Sequence, residues 1–142
     1  MKSKNIVTSV LLSVIAFVLV SCKPEKEDWN SPKKIYNMMC SCKNKNGLTI
    51  DGQLLQFMIK NGQDTSSTDK VNTYISSNTS AFMGMIDAEF KNDTIYLQNL
   101  VTVKDTLNAH GSDMNVQGGM GDLFSIKSKY PGCIAALPYI TQ

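Results

Sequence analysis

The sequence predicts a mainly β fold, an antiparallel sandwich or barrel-like domain with a short N-terminal helix. Two observations support this prediction. Apolar and polar residues alternate in several short segments, as they do in strands with one buried face. Turn signals rich in glycine, asparagine and aspartate separate those segments. Roughly six or seven short strands are typical of a sandwich or a barrel.

The short helix is predicted just before the first strand. Ser31 and Pro32 are residue types preferred at the N-cap and at the first helical position. Apolar residues then recur at helical spacing, which places them on one face; they are Ile35, Met38, Met39 and Cys42. The polar segment 43–47 is expected to end the helix.

Four strands are predicted outside the central region. Leu55, Phe57 and Ile59 alternate with polar or flexible residues and indicate a strand with one solvated face. Further strands are predicted at 71–75, 123–126 and 134–140. Pro138 restricts the last of them to a sheet edge or a bulge, because proline cannot donate to the hydrogen-bond ladder.

The strongest strand signal is a β-hairpin between Ala81 and Val103. Its turn is predicted at 91–93, and two alternating apolar rows are expected to face inward. The rows are Phe82, Ile86, Ala88, Phe90 and Ile95, Leu97, Val101, Val103. Asn99 interrupts the second row, which indicates either a bulge or a hydrogen-bonded buried amide.

The N-terminus has the three parts of a secretory signal: early lysines, an apolar run from Ile6 to Val20, and a small residue before the cut. The apolar run is too short to span a bilayer core about 30 Å thick. The segment Leu19-Val20-Ser21-Cys22 resembles the lipobox of bacterial lipoproteins. This resemblance implies cleavage before Cys22, lipidation of Cys22, and attachment to the membrane through that lipid.

The chain is therefore divided into a signal peptide (1–21), a tether (22–31) and a single β-rich domain (32–142). The acidic segment after Cys22 resembles the surface-export signal of Bacteroidota lipoproteins. The two resemblances together imply a cell-envelope location as an outer-membrane lipoprotein. Display at the cell surface and attachment to the periplasmic leaflet both stay open.

The charge composition argues against nucleic acid as a partner. The chain has no arginine, and removal of the two signal lysines would leave lysines and acids in balance. Arginine is the preferred residue for bidentate phosphate recognition, and nucleic-acid binders carry a basic patch.

Three cysteines remain after Cys22. In an exported chain, Cys133 could form a disulfide with Cys40 or with Cys42, whereas Cys40 and Cys42 would point to different sides of a helix. Buried free thiols are the alternative. The one histidine, His110, is far from all three in sequence, so no metal site is predicted.

No catalytic or cofactor motif is recognised. His110, Ser112 and Asp113 are neighbours in a glycine-flanked loop, and sequence proximity does not make a triad. The glycine cluster at 118–121 lacks the strand–helix context of a dinucleotide site, so no cofactor is predicted.

Two threonines are candidates for O-glycosylation. The triplets Asp93-Thr94-Ile95 and Asp105-Thr106-Leu107 resemble the short motif glycosylated in exported Bacteroidota proteins. The resemblance makes Thr94 and Thr106 the acceptor residues.

These observations favour a lipid-anchored, noncatalytic binding or structural domain. Its ligand would be a glycan, a small apolar molecule or another envelope protein. The alternative is an envelope hydrolase that uses Asp and Glu as acid and base, with Asp87 and Glu89 as candidates. Two carboxylates converging in a pocket would favour the hydrolase; a continuous apolar cavity would favour binding.

Overall fold

The computed structural model describes residues 28–112 and 120–142, with side chains described to 112 and again from 124. Within these ranges the chain is helical and has no β-strand. The helices are α1 (Pro32–Cys40), α2 (Ile50–Lys60), α3 (Thr68–Ser77), α4 (Thr79–Ile86), a π-helical turn (Asp87–Lys91), α5 (Thr94–Ala109), α6 (Met120–Lys129) and α7 (Pro131–Ile140). The prediction of a mainly β, antiparallel sandwich or barrel-like domain is therefore wrong.

Side-chain caps explain where several of the helices begin. Thr49, Ser67 and Asp93 precede α2, α3 and α5, and each accepts a hydrogen bond from a backbone amide three residues later. Such a cap satisfies one of the amides that a helix leaves unpaired at its start. The cap residues also stop each helix from extending backwards into the preceding loop.

The N-terminal helix is the element that the sequence predicts correctly. It begins at Pro32 after Ser31 and buries Ile35 and Met39. The helix ends at Cys40, so Cys42 lies beyond it, although the Cys42 side chain is still buried. The four-residue spacing of the buried residues follows from the helical repeat.

The strand predicted at 55–60 is part of α2. The buried residues of α2 are Ile50, Leu54 and Met58, which recur every fourth position and form one helical face. Ile59, expected on the inner face of a strand, is 64% exposed. The segment 71–75 is likewise helical, in α3, and buries Val71 and Tyr74, three residues apart.

The predicted hairpin is instead α4, the π-helical turn and the first part of α5. Phe82, Ile86 and Phe90 are buried as predicted, but their spacing of four satisfies both a two-residue and a helical repeat. Asp93, assigned to the hairpin turn, is the N-cap of α5. Val101, assigned to the inner row, is 55% exposed.

The remaining strand predictions also fall on helices. Residues 123–126 belong to α6 and residues 134–140 to α7, where Pro138 lies inside the helix rather than at a sheet edge. Asn99 marks no bulge. It lies on α5, and its side-chain amide donates a hydrogen bond of 3.0 Å to the carbonyl of Lys43.

The helices enclose one hydrophobic core. Leu54, Phe82, Phe90 and Tyr96 are each fully buried in it, and the rings of Phe90 and Tyr96 meet edge to face at 5.0 Å. None of the helices described is both long enough and apolar enough to cross a bilayer. The core is the part of the molecule against which α2, α3 and α7 pack.

A disulfide joins the two ends of the domain. Cys40, the last residue of α1, is bonded to Cys133 in the first turn of α7, with 5.6 Å between their Cα atoms. This is one of the two pairings that the sequence left open. The bond holds α7 in place beside α2 and α3, which is where the candidate site lies.

Candidate functional site

The candidate site is a surface groove that follows α3. Two adjoining depressions form it, with volumes of about 310 and 510 Å³, and both are lined by Pro131 at the start of α7. We call this surface the α3 groove. Its combined volume is in the range typical of sites for small ligands.

The first depression is lined largely by hydroxyl groups. Its aliphatic lining residues are Leu55, Val71 and Pro131. The charged lining residues are Asp51 and Lys129. The hydroxyl-bearing residues are Thr65, Ser66, Ser67, Thr68 and Ser128.

The second depression has more aliphatic and fewer polar groups. Ile75 of α3 faces Ile134 and Ala135 of α7 across it. The polar lining residues are Asn72, Thr73, Ser76 and Lys127. The groove therefore offers aliphatic side chains beside groups that both donate and accept hydrogen bonds.

Contacts between helices hold the first depression in shape. The hydroxyl of Thr68, at the start of α3, donates to the carbonyl of Ser128 near the end of α6 at 3.2 Å. The hydroxyl of Ser67 accepts from the amide of Lys70 at 3.3 Å. These bonds occupy the Thr68 proton and the Ser128 carbonyl, and they leave the Ser128 hydroxyl in the lining.

Asp51 connects α2 to α7 at the base of the first depression. Its carboxylate oxygens accept hydrogen bonds from the backbone amides of Gly132, at 2.7 Å, and Cys133, at 3.2 Å. Burial raises the pKa of the Asp51 carboxyl above its ordinary value, and the two hydrogen bonds offset part of that rise. Asp51 therefore serves as a helix cap for α7 supplied from another helix.

Close approach makes Gly132 necessary at this point. A Cβ atom on residue 132 would lie 2.9 Å from Leu54 Cδ2 and 3.0 Å from Asp51 Oδ1. Leu54 is fully buried, so a shift of its side chain would disturb the packing of the core around it. The glycine lets the start of α7 reach the Asp51 carboxylate.

Two lysines in the last turn of α6 bring positive charge to the groove, one to each depression. Lys129 donates to the Asn37 side-chain oxygen at 3.3 Å and lies 4.9 Å from the centroid of the Tyr130 ring. Lys127 makes no hydrogen bond or ion pair with any residue that the structure describes. No local pattern in the sequence marks Asp51, Lys127 or Lys129 as site residues.

The lipid-attachment prediction concerns Cys22, which lies outside the described residues. Of the other cysteines, Cys42 is free and buried, and its thiol is 3.7 Å from the carbonyl of Met38. Burial raises the pKa of the Cys42 thiol, which keeps it protonated and a weak nucleophile. Cys40 and Cys133 are held in the disulfide and are not thiolate ligands.

The two predicted glycosylation residues lie on α5. Thr94 is the first residue of that helix and is exposed. Thr106 lies further along the helix, and its hydroxyl donates to the carbonyl of Thr102 at 2.8 Å. Neither threonine lines the α3 groove, so glycan attachment at Thr94 and Thr106 remains a separate prediction.

His110 contacts an aromatic ring rather than a triad partner. Its ring stacks on Trp29 at 3.6 Å between centroids, and its Nδ1 is 2.8 Å from the carbonyl of Thr106. The hydroxyl of Ser112 donates to the carbonyl of Trp29. Asp113 lies outside the described residues, as does most of the glycine cluster at 118–121.

The two candidate carboxylates of the hydrolase hypothesis lie on the π-helical turn, away from the α3 groove. Asp87 accepts a hydrogen bond from the Tyr139 hydroxyl at 2.8 Å, and Lys91 is 3.9 Å from the same oxygen. Glu89 accepts a hydrogen bond from the Asn46 side chain at 3.3 Å. Both carboxylates bind neighbouring parts of the domain.

Two buried polar atoms have no hydrogen-bond partner among the described residues: the Tyr96 hydroxyl and Gln53 Oε1. Burial raises the pKa of the Tyr96 hydroxyl, and Cys42 and Asp51 would raise it further whenever they carry a negative charge. Tyr96 is therefore neutral. In residues 28–112 and 124–142, no group of three His, Cys, Asp or Glu side chains is placed to hold a metal ion.

Comparison of this chain with protein-family models, with curated proteins and with solved structures finds no match. The assignment of a function therefore depends on the groove and on the residues that line it.

Proposed function

We propose that this protein is a lipid-anchored lipoprotein of the cell envelope whose helical domain is a noncatalytic binding domain for a glycan. Cys22 carries the anchor, and the α3 groove receives the ligand. The anchoring part of the proposal depends on the lipobox resemblance, since Cys22 lies outside the described residues. The binding part depends on the chemistry of the groove.

The single observation that supports glycan binding is the composition of the groove lining. Seven of its side chains carry hydroxyl groups: Thr65, Ser66, Ser67, Thr68, Thr73, Ser76 and Ser128. A hydroxyl both donates and accepts hydrogen bonds, which matches the hydroxyls of a sugar. The aliphatic side chains of Leu55, Ile75 and Ile134 would pack against the C–H faces of the sugar rings.

The role of Asp51 favours binding over acid–base chemistry. Asp51 is the carboxylate among the lining residues, and both its oxygens accept hydrogen bonds from α7. A glycosidase normally needs two carboxylates on opposite sides of the scissile bond. An envelope hydrolase is the alternative function, and the length of the glycan after incubation with the protein tests it.

A steric block tests whether the groove is the binding site. Ser76 lines the groove, and its neighbour Ser77 is also exposed on α3 but does not line it. We expect Ser76→Trp to remove retention of envelope glycans by the purified protein, because the indole would fill the second depression. Ser77→Trp should leave retention unchanged. Equal retention by both variants would place the site elsewhere.

Analysis of the retained glycan distinguishes the two functions. A noncatalytic domain should return the glycan at its original length after prolonged incubation. Shortened products that disappear in Asp87→Asn or Glu89→Gln, with the fold intact by circular dichroism, would establish the hydrolase instead.

The anchor is tested by fractionation. We expect Cys22→Ala to release the protein from the membrane fraction or to leave its signal peptide uncut, because stable attachment depends on the acyl chains. Normal processing and normal membrane retention of this variant would contradict the anchoring proposal.

A further inference from the structure

We infer that the ligand of the α3 groove is an acidic glycan, whose carboxylate, sulfate or phosphate groups bind Lys127 and Lys129. This inference rests on the proposed function and narrows it from glycans in general to negatively charged ones. The observation behind it is the placement of two lysines in a groove that is otherwise lined by hydroxyl and aliphatic groups.

Of the two lysines, Lys127 provides the stronger support for an acidic ligand. It lines the second depression and has no hydrogen-bond or ion-pair partner among the residues that the structure describes. A lysine ammonium has three donors and no acceptor, so its natural partner in a ligand is an anion. A neutral sugar would offer the exposed Lys127 ammonium hydrogen-bond acceptors but no opposite charge.

Lys129 places a second positive charge on the other side of Pro131, in the first depression. One of its three donors binds Asn37, which leaves others for a ligand. Both lysines lie in the last turn of α6. An extended ligand crossing Pro131 would meet one of them in each depression.

Asp51 does not cancel this positive charge in full. Its oxygens accept hydrogen bonds from the amides of Gly132 and Cys133, which lie at the positive end of the α7 dipole. The negative charge of Asp51 is thus stabilised by α7 rather than directed at a ligand. The groove retains a positive lining in a chain whose mature part has balanced lysines and acids.

The hydroxyl side chains distinguish an acidic sugar from an acidic peptide. Ser76 and Thr68 use their protons on backbone carbonyls, and their oxygens remain able to accept from a ligand. Sugar hydroxyls supply many donors along one chain, whereas a peptide supplies one backbone amide per residue. The groove chemistry therefore fits an acidic glycan better, and an acidic peptide serves as a competitor in the test.

The test uses an array on which uronate, sialylated and sulfated oligosaccharides are each printed beside their neutral parent. The detergent-solubilised full-length protein is applied, and the affinity for the best binder is then measured by calorimetry. We expect retention of acidic members over their neutral parents, with binding weakened by added sodium chloride because salt screens exposed charges.

Variants at Lys127 identify the residue responsible. Lys127→Gln should weaken binding of the acidic oligosaccharide about two- to fivefold, as expected for a solvent-accessible ion pair. Lys127→Arg should restore most of the affinity. Lys104→Gln is the matched control, because Lys104 is exposed on α5 and does not line the groove.

The outcomes separate this inference from the proposed function. Equal affinity for an acidic oligosaccharide and its neutral parent, or unchanged affinity in Lys127→Gln, would overturn the inference and leave glycan binding intact. Tighter binding of a polyglutamate peptide than of every glycan would overturn both the inference and the proposed ligand class. Binding to no glycan would do the same.

Discussion

Two aspartates hold two junctions of this domain, and they do so under opposite electrostatic conditions. Asp51 joins α2 to α7 through the amides of Gly132 and Cys133. Asp93 caps α5 through the amide of Tyr96, at 2.8 Å, and also accepts from the amide of Lys45, at 3.2 Å. Each carboxylate therefore accepts two backbone hydrogen bonds from different parts of the chain.

The pKa values of the two carboxyl groups are nevertheless shifted in opposite directions from their ordinary value. Burial raises the pKa of Asp51 by more than its hydrogen bonds lower it. The hydrogen bond from the Tyr96 amide lowers the pKa of Asp93 by more than burial raises it, and the hydrogen bond and positive charge of Lys45 add smaller lowering effects. The number of hydrogen bonds therefore does not by itself set the direction in which the pKa of a capping carboxyl shifts, because the loss of solvent opposes them.

The largest expected effect at the Asp51 junction comes from the disulfide. The bond between Cys40 and Cys133 closes a loop with a sequence separation of 93 residues. In the chain-entropy model, a loop of this size contributes about 4.6 kcal/mol to the unfolding free energy. We expect the double variant Cys40→Ser/Cys133→Ser to lose about this amount in urea unfolding, and Cys42→Ala to lose much less.

Counting thiols provides an independent check on the same bond. If Cys22 carries the lipid, the nonreduced protein should offer one alkylatable thiol after denaturation, that of Cys42. Three reactive thiols under nonreducing conditions would show that the disulfide does not form.

A smaller effect is expected from adding one methyl group at the same junction. Gly132→Ala places a Cβ against Leu54 and Asp51, and overpacking of this kind costs about 1–3 kcal/mol. Gly84→Ala is the matched control, because a Cβ on this helical glycine meets nothing within 4 Å. The control should stabilise the protein by up to about 1 kcal/mol, since alanine favours helix over glycine. Unchanged or increased stability in Gly132→Ala would contradict the close approach at residue 132.

The Asp93 junction can be weakened through its neighbouring loop. Asn44 is 2% exposed, and its side-chain oxygen accepts from the amides of Asn46, at 3.0 Å, and Leu48, at 3.1 Å. We expect Asn44→Ala to cost about 1–2 kcal/mol in urea unfolding, because partly buried amides lose their partner. Asn46→Ala, at an exposed position, should cost less. Equal costs would mean that the Asn44 side chain does not organise the loop.

The smallest expected effect is a pH dependence of the unfolding free energy. It tests whether the pKa values of Asp51 and Asp93 are shifted in opposite directions. The contribution of Asp93 is present above its ordinary pKa of 3.8 and is lost as pH falls through its lowered folded-state pKa. The contribution of Asp51 is present below pH 3.8 and is lost as pH rises through its raised folded-state pKa. We expect the stability difference between wild type and Asp93→Asn to grow with pH, and that between wild type and Asp51→Asn to shrink.

Urea midpoints measured from about pH 3 to about pH 7 would show these two slopes. Slopes of the same sign for both variants would refute the proposed difference between the two aspartates.

The sequence predicts one helix well and misassigns the rest for a definite physical reason. At α1, Ser31 and Pro32 mark the start and the apolar residues follow a helical repeat. In α4 and the π-helical turn, Phe82, Ile86 and Phe90 are four residues apart, and an even spacing fits a strand as well as a helix. Here the periodicity alone does not distinguish the two structures.

The N-cap residues indicate helices where the spacing of the apolar residues fits a helix and a strand equally. Thr49, Ser67 and Asp93 are each residue types preferred at helix N-caps, and each does cap a helix. The alternation of apolar residues instead predicts Asp93 in a hairpin turn. Weighing N-cap signals ahead of alternation would have placed the starts of α2, α3 and α5.

The groove itself could not be derived from sequence. Asp51 and Gly132 are 81 residues apart, and no local pattern relates them. Lys127 and Lys129 gain their significance only because α6 and α7 bring them beside the hydroxyl groups of α3. Such a surface depends on how helices pack, which local residue patterns do not specify.

If Cys22 carries a lipid, the contacts of Trp29 limit how far the domain can lie from the membrane. The Trp29 ring lies between the His110 ring and the ammonium of Lys34, which is 3.7 Å from the ring centroid. Trp29 is therefore fixed to the domain, and if Cys22 carries the lipid, the chain from Cys22 to Trp29 can span at most about 25 Å. A tether of that length would keep the domain beside the membrane and would raise its effective concentration for ligands attached to the same membrane.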